Sequence, residues 1–440
     1  MCRLNFAAIV SMQFAIVLTL NLPTSFANAK EEKQLSLDAV VTMVKLNDFR
    51  LKAFKAESNA FLSESNAASY LPDPTVFAAV QSIPTDTFKT DQEPMTQLKV
   101  GVRQMFPKGD SLDIKSRVAG LQADIRRRAQ QAYWLTTKKS VEQAWLEAWF
   151  WNEKLTLLDT DRVHLKQILD FIRGLYEVGA KEQAELIGAK LALLKLQYTY
   201  IDAKQHYERY RQQLNTFANT VLQGEISGQS LPSLDERHLV SNPTNAQRDF
   251  ALHPAVSILN QEVMLSRLNE NLVEQDFKPA WGLELSYGLR DGNNSDGSAR
   301  PDFLSAGINV QLPLFSNHKQ SSNQAAAGQR TRAVELKRDQ ALSALRFEYQ
   351  NQKSQYQYTR DQLSLYESQI LPMVSKQKES ALQAYESGEG DVQSVMDIFL
   401  KQQQAKTMFQ RLRVNEQKLL SSLNALLAHD LQTFDDGDQI

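Results

Sequence analysis

The chain is written twice. Leu98-Lys99-Val100-Gly101-Val102-Arg103 is answered by Leu304-Ser305-Ala306-Gly307-Ile308-Asn309, and Pro107 by Pro313, at an offset of about 206 residues. Upstream, Leu46-Asn47-Asp48-Phe49 falls opposite Leu252-His253-Pro254-Ala255, and Pro74 opposite Pro279. Downstream, Tyr176-Glu177-Val178-Gly179 matches Tyr385-Glu386-Ser387-Gly388 at about 209. Matches in one order at nearly constant spacing restrict the fold to two copies of one unit. Each unit reads as a helix (near 36–70 and 244–277), two strands around a polar loop, and two long helices.

The strands show period-two alternation. Leu98, Val100 and Val102 alternate with Lys99, Gly101 and Arg103. Trp281, Leu283, Leu285 and Tyr287 alternate with Gly282, Glu284, Ser286 and Gly288, and Leu304, Ala306, Ile308, Val310 and Leu312 form one side of the last strand. Val76, Ala78 and Val80 form a weaker first strand. The strands lie at about 74–106 and 279–313. Such a sheet has one apolar and one wet face. A water-exposed sandwich satisfies that pattern, and so does a membrane barrel, whose strands need about 9–11 residues. The loops from Ile83 to Pro94 and from Asp291 to Pro301 are polar and rich in turn residues. Asp291–Gly297 resembles a calcium loop only superficially, because Asp296 stands where an EF-hand needs glycine.

The helices are long. No proline occurs between Pro107 and Pro232. Leu186, Ala189, Leu193, Leu196, Tyr200, Ala203, Tyr207, Tyr210, Leu214, Phe217 and Val221 follow an unbroken 3-4 spacing, the seam of a coiled coil. A matching seam runs from Val395 to Leu426, with polar breaks at Gln402 and Glu416. Helical stretches at 108–177 and 316–386 precede the two seams. Seventy residues of helix span roughly 100 Å at about 1.5 Å per residue.

Composition narrows the setting. Basic residues number 49 against 51 acidic, which argues against nucleic-acid binding. Residues 1–29 read as a secretory signal: Arg3, an apolar run from Phe6 to Leu22, Pro23, and a small-x-small site at Ala27-Asn28-Ala29. The single cysteine, Cys2, lies inside that segment. The mature chain is therefore expected to have no disulfide and no N-terminal lipid anchor. No later segment is apolar enough for a membrane helix, so a span of the outer membrane would need strands. The expected organisation is a first repeat at 30–223, a linker at 224–243, a second repeat at 244–427, and an acidic tail at 428–440.

These elements resemble the TolC family of outer-membrane efflux proteins over nearly the whole mature chain. The resemblance is carried by the strand-to-helix joints Gln104-Met105-Phe106-Pro107-Lys108-Gly109 and Gln311-Leu312-Pro313-Leu314-Phe315, by Tyr176-x-x-Gly179 and Tyr385-x-x-Gly388, and by Asp391-Val392-x-x-Val395-Met396-Asp397. It implies a mainly α chain with a small β part. Three chains would complete a twelve-stranded transmembrane barrel on a helical coiled-coil tunnel. Four strands cannot close a pore alone, since known barrels start at eight. The implied partners are two further copies, a periplasmic adaptor, an inner-membrane pump of the RND type, and outer-membrane lipid. Within the family the chain looks similar to the heavy-metal branch.

No nucleophile elbow, zinc-protease motif, phosphate loop or dinucleotide fingerprint occurs. The chain reads as a passive conduit without catalysis, cofactor or resident metal. The six histidines (His164, His206, His238, His253, His318, His429) are scattered singly. By resemblance, the tips Tyr176, Val178, Gly179, Ala180 and Tyr385, Ser387, Gly388, Glu389 meet the adaptor. Asp397 matches an aspartate ringing the closed periplasmic entrance, with Glu185 beside it. A solvated helix face is the alternative for Asp397, and the better one for Glu182 and Asp391. The family often has a basic gate residue where Gly390 stands. Rival functions are a trimeric coiled-coil adhesin, the duct of a type I secretion system, and a soluble periplasmic coiled-coil enzyme.

Overall fold

The structure, a computed structural model, describes residues 35–226, 231–236, 250–315, 318–428 and 431. The signal segment with Cys2, most of the acidic tail, and parts of the linker lie outside the described residues.

The first unit opens with α1 (Leu37–Asn47) and α2 (Phe49–Ala68), followed by β1 (Thr75–Gln81) and β2 (Gln97–Phe106). Then come α3 (Ser111–Glu177), 67 residues long, and α4 (Gln183–Ala218). The second unit repeats this order. It has α5 (Pro254–Glu274) with a 3₁₀ turn to Phe277, β3 (Ala280–Leu289), β4 (Phe303–Gln311) and α6 (Lys319–Leu365). A π-helical turn over Tyr366–Ile370 leads into α7 (Leu371–Glu386), and α8 (Val392–Leu426) follows. None of the described helices is long and apolar enough to cross a membrane.

The expected helix over 36–70 is two helices. Asp48 breaks it with ψ near 113°, and its Oδ1 accepts the amides of Arg50 at 2.7 Å and Leu51 at 3.0 Å. A side-chain acceptor at this position satisfies helix-start donors. The second unit breaks at the equivalent place. There His253 Nδ1 accepts the Ala255 amide at 3.2 Å, and Pro254 opens α5. Burial of His253 lowers its pKa, which keeps the ring neutral and able to cap. The seam of α4 also stops early. Asn219 adopts φ +50° and ends the helix at Ala218, so Val221 is exposed and Leu222 is buried instead.

The second hairpin departs from the first in the backbone of its leading helix. Where α3 is continuous, the corresponding helix carries the π turn and then Pro372. Proline has no amide hydrogen and crowds the preceding turn. A π turn relieves such a defect by adding a residue locally. The polar breaks of the second seam find partners: Lys378 donates to Gln402 Oε1 at 3.1 Å, and Arg360 lies 3.8 Å from Glu416.

The main core sits midway along the long helices. It gathers Val40 and Val44 of α1, Trp134, Trp145, Leu146, Trp149 and Phe150 of α3, Leu214 of α4 and Val414 of α8. Trp145 Nε1 donates to the Leu35 carbonyl at 3.0 Å, satisfying the indole while its ring is buried. Smaller clusters continue along the hairpins to the tips.

Candidate functional site

The sheet has the order β1-β2-β3-β4, all antiparallel, so each repeat contributes one hairpin and the halves meet at β2–β3. Its register places Val76, Ala78 and Val80, Leu98, Val100 and Val102, Leu283, Leu285 and Tyr287, and Leu304, Ala306, Ile308 and Val310 on one face. The large members of that set are exposed: Val76 by 70%, Leu304 by 73% and Ile308 by 73%. On the opposite face the central strands carry Gln97, Gly101, Ala280, Gly282, Ser286 and Gly288, which are buried, while the inward positions of β1 and β4 are exposed or half-buried. A water-soluble sheet buries its apolar face, and this one presents it. Among the described residues, both edges, β1 and β4, lack a strand neighbour.

The outward-facing aromatic residues Phe106, Trp281 and Tyr287 sit toward the sheet's ends. Phe106 and Trp281 stack at 4.1 Å at the end nearest the long helices, with exposed Tyr70, Leu312, Leu314 and Phe315 at the same end. Tyr287 lies toward the other end and donates to Asp302 at 2.6 Å. At about 3.3 Å per residue and a tilt of about 40°, a ten-residue strand such as β3 rises about 25 Å, the height of a barrel's apolar band.

The joint at Pro107 is pinned between repeats. Lys108 Nζ lies 2.9 Å from Asp276, and Lys278 Nζ lies 2.9 Å from Asp110, so the two pairs cross reciprocally. Gly109 at φ +46° lies between them, and a Cβ there would meet Gln275 and Lys278. The joint at Pro313 leads into a turn at Leu314–Phe315.

The two tips share one backbone device. Ala180 N–H bonds Leu175 O at 2.9 Å and Gly179 N–H bonds Tyr176 O at 3.0 Å. Glu389 N–H bonds Ala384 O at 3.0 Å and Gly388 N–H bonds Tyr385 O at 3.1 Å. Each is a Schellman ending with a left-handed glycine, Gly179 at φ +73° and Gly388 at φ +78°. Val178, Gly179, Ala180, Ser387, Gly388 and Glu389 are exposed. The two tyrosines differ. Tyr176 is exposed, whereas Tyr385 packs edge-on to Phe171 at 6.2 Å, and Lys181 Nζ lies 5.5 Å from its ring centre. Burial raises the Tyr385 pKa. Tyr385 thus joins the two hairpins rather than offering itself outward.

Gly390 has its own reason to be glycine. Its amide bonds Ala384 O at 2.8 Å, and a Cβ would fall 2.9 Å from the Tyr385 nitrogen and 3.0 Å from the Ala384 carbonyl carbon. A basic side chain has no room there. Asp391 caps α8, its Oδ1 accepting the Ser394 amide at 2.7 Å. These hydrogen bonds lower its pKa. Glu182 precedes α4 without a side-chain cap bond. Asp397 is exposed and accepts from Gln393 Nε2 at 2.8 Å, while Glu185 lies 3.3 Å from Lys181. Gln393 approaches Gly188 of α4, which brings the two acidic helix starts side by side.

One cluster was not singled out from the sequence. Glu147 of α3 meets Arg411 and Lys418 of α8, each at 2.8 Å, and Ser421 bonds Glu142 one turn away. Arg411 lies 3.5 Å from the Phe150 ring centre. The available signal was two glutamates inside the tryptophan-rich run Val141–Trp151. Among the described residues, no group of three or more His, Cys, Asp or Glu side chains is placed to hold a metal ion.

No protein-family model and no curated protein sequence matches the chain. Solved structures do. The outer-membrane channel OprN superposes with a TM-score of 0.75 at 14% identity, covering 89% of each chain. The CmeC outer membrane channel of Campylobacter jejuni gives 0.73 at 15%, covering 96% of this chain and 94% of its own. CusC, whose structures concern folding and transmembrane channel formation, gives 0.71 at 14%, covering 90% and 92%. The fold of this chain is the fold of the TolC-family outer-membrane channels.

Proposed function

We propose that three copies of this chain form an outer-membrane duct, with twelve strands closing a barrel and the long hairpins forming a periplasmic tunnel. The observation that carries this reading is the reversed sheet, which turns its apolar face outward and a face of mostly small and polar residues inward. Its unpaired edges at β1 and β4 need strands from other copies, because lipid satisfies no backbone hydrogen bond. The duct carries solutes passively, and the energy comes from an adaptor and an inner-membrane pump that meet the tips at Val178–Ala180 and Ser387–Glu389. An RND pump is the partner this reading favours, with metal ions as one cargo class. Asp397, assisted by Glu185, rings the closed periplasmic end.

The detergent-extracted protein should sediment as a trimer, change its gel migration on heating, and conduct ions in planar bilayers. A conducting monomer would overturn the reading. Cell fractionation that finds the chain free in the periplasm would overturn it as well.

A further inference from the structure

The inner face of the sheet carries its charge in one cluster, on the central strands β2 and β3. β1 and β4 contain no ionisable side chain. β2 contributes Lys99 and Arg103, and β3 contributes Glu284. The register places Arg103 directly opposite Glu284 and Lys99 opposite Gly288, on the face away from Leu98, Val100 and Leu285. Glu284 binds both cations. Arg103 donates to its Oε2 from Nε at 3.1 Å and Nη2 at 2.7 Å, and Lys99 Nζ lies 3.2 Å from its Oε1.

An aromatic floor completes the cluster. Phe77 of β1 lies beside Gly101, and a Cβ at Gly101 would fall 2.6 Å from the phenyl Cζ. The glycine therefore lets the ring lie against the strand. Lys99 Nζ is 5.7 Å and the Arg103 guanidinium 5.6 Å from the ring centre, within cation–π reach on both sides. Two cations against one carboxylate leave one net positive charge per chain in this cluster.

We infer that Lys99 and Arg103, ordered by Glu284 and Phe77, form an anion-attracting collar inside the barrel, a subsite for solutes that carry a carboxylate or phosphate group. The inference rests on the duct reading, which brings three copies around one lumen. Rings of Arg and Lys select for anions in pores, and low-dielectric walls focus their field. Glu284 fixes the guanidinium in one orientation while neutralising only part of the charge. The collar is opposite in sign to the Asp397 ring at the far end. The duct thus favours cations where solutes arrive and anions where they leave.

The test is a reversal-potential measurement on the full-length trimer in planar bilayers under a KCl gradient, at low ionic strength where screening is weakest. The paired substitution Lys99→Gln with Arg103→Gln should lower the anion-to-cation permeability ratio by about two- to threefold. It should also weaken block by pyrophosphate added on the external side. Glu284→Gln should shift the ratio the opposite way, a reversal that a merely distorted barrel does not produce. Unchanged ratios in conducting variants, or shifts of the same sign in both, would overturn the collar. Absence of any conductance from the unaltered protein would instead overturn the duct reading, and the collar with it.

Discussion

The Arg411 guanidinium reaches from α8 to hold the Glu147 carboxylate of α3 at 2.8 Å and 2.9 Å from its two oxygens. This contact joins the two repeats across 264 residues of sequence at the level of the main core. Burial acts to raise the Glu147 pKa, but hydrogen bonds from Lys418 and Arg411 outweigh it and hold the carboxyl below its ordinary 4.5. A carboxyl depressed by folding stabilises the native state above its unfolded pKa and loses that effect as pH falls through its folded value. Glu147→Gln should cost about 3 kcal/mol at neutral pH, because two part-buried cations lose their counter-charge. The deficit should shrink in acid, below pH 4.5, as read by thermal melting of the helical circular-dichroism signal across a pH series. An equal deficit at every pH would mean that the carboxylate is not the stabilising group.

The tips predict a graded response. Gly388→Ala meets no atom within 4 Å, so its penalty is the left-handed backbone alone, about 1 kcal/mol. Gly390→Ala would drive a Cβ into the backbone of Ala384 and Tyr385 and should displace the second tip from the first. Limited proteolysis at the tip should therefore accelerate more for Gly390→Ala than for Gly388→Ala. Bulky changes at Val178 and Ser387 should abolish export without disturbing trimer assembly, as measured by efflux assay and sedimentation.

Asp397 should dominate the entrance. Its neighbour on the same helix face is the neutral Gln393, whereas Glu185 shares its charge with Lys181. Asp397→Ala should weaken divalent and trivalent cation block of single channels, and Glu185→Ala should do so less. Lys181→Ala should strengthen the block, since it releases Glu185 from its partner. If block is unchanged in the Asp397 variant, that residue belongs to a solvated helix face.

The repeat, the alternating strands and the coiled-coil seams were legible because they depend on spacing along the chain. What escaped depends on contacts between distant segments. Asp48 looks like an ordinary helical residue until Tyr133 donates to its Oδ2 at 3.0 Å and the chain turns there. Tyr176 and Tyr385 are equivalent in sequence, yet only Tyr385 meets Phe171, because one hairpin packs against the other asymmetrically. The absence of a basic residue at position 390 reads as a missing gate in sequence and as a packing requirement in space. The π turn near Pro372 escaped because a proline alone does not specify whether a helix kinks or absorbs it.

That π turn gives a further expectation. Pro372→Ala restores an amide donor, so the helix from Lys319 to Glu386 can close into regular α-helix and stiffen. Hydrogen exchange around Tyr366–Ile370 should slow by about tenfold, a change of about 1.4 kcal/mol in local opening. Exchange in the matching part of α3 should stay as it was.

A sheet that faces lipid with one side and water with the other is tested most directly by cysteine accessibility along β4. Apart from Cys2 the chain has no cysteine, so single replacements report cleanly. In outer-membrane vesicles, Ser305→Cys and Asn309→Cys should react with a charged, membrane-impermeant thiol reagent. Ala306→Cys and Ile308→Cys should resist it and react with a lipid-soluble one. Uniform labelling of all four positions, or the opposite alternation, would contradict the account.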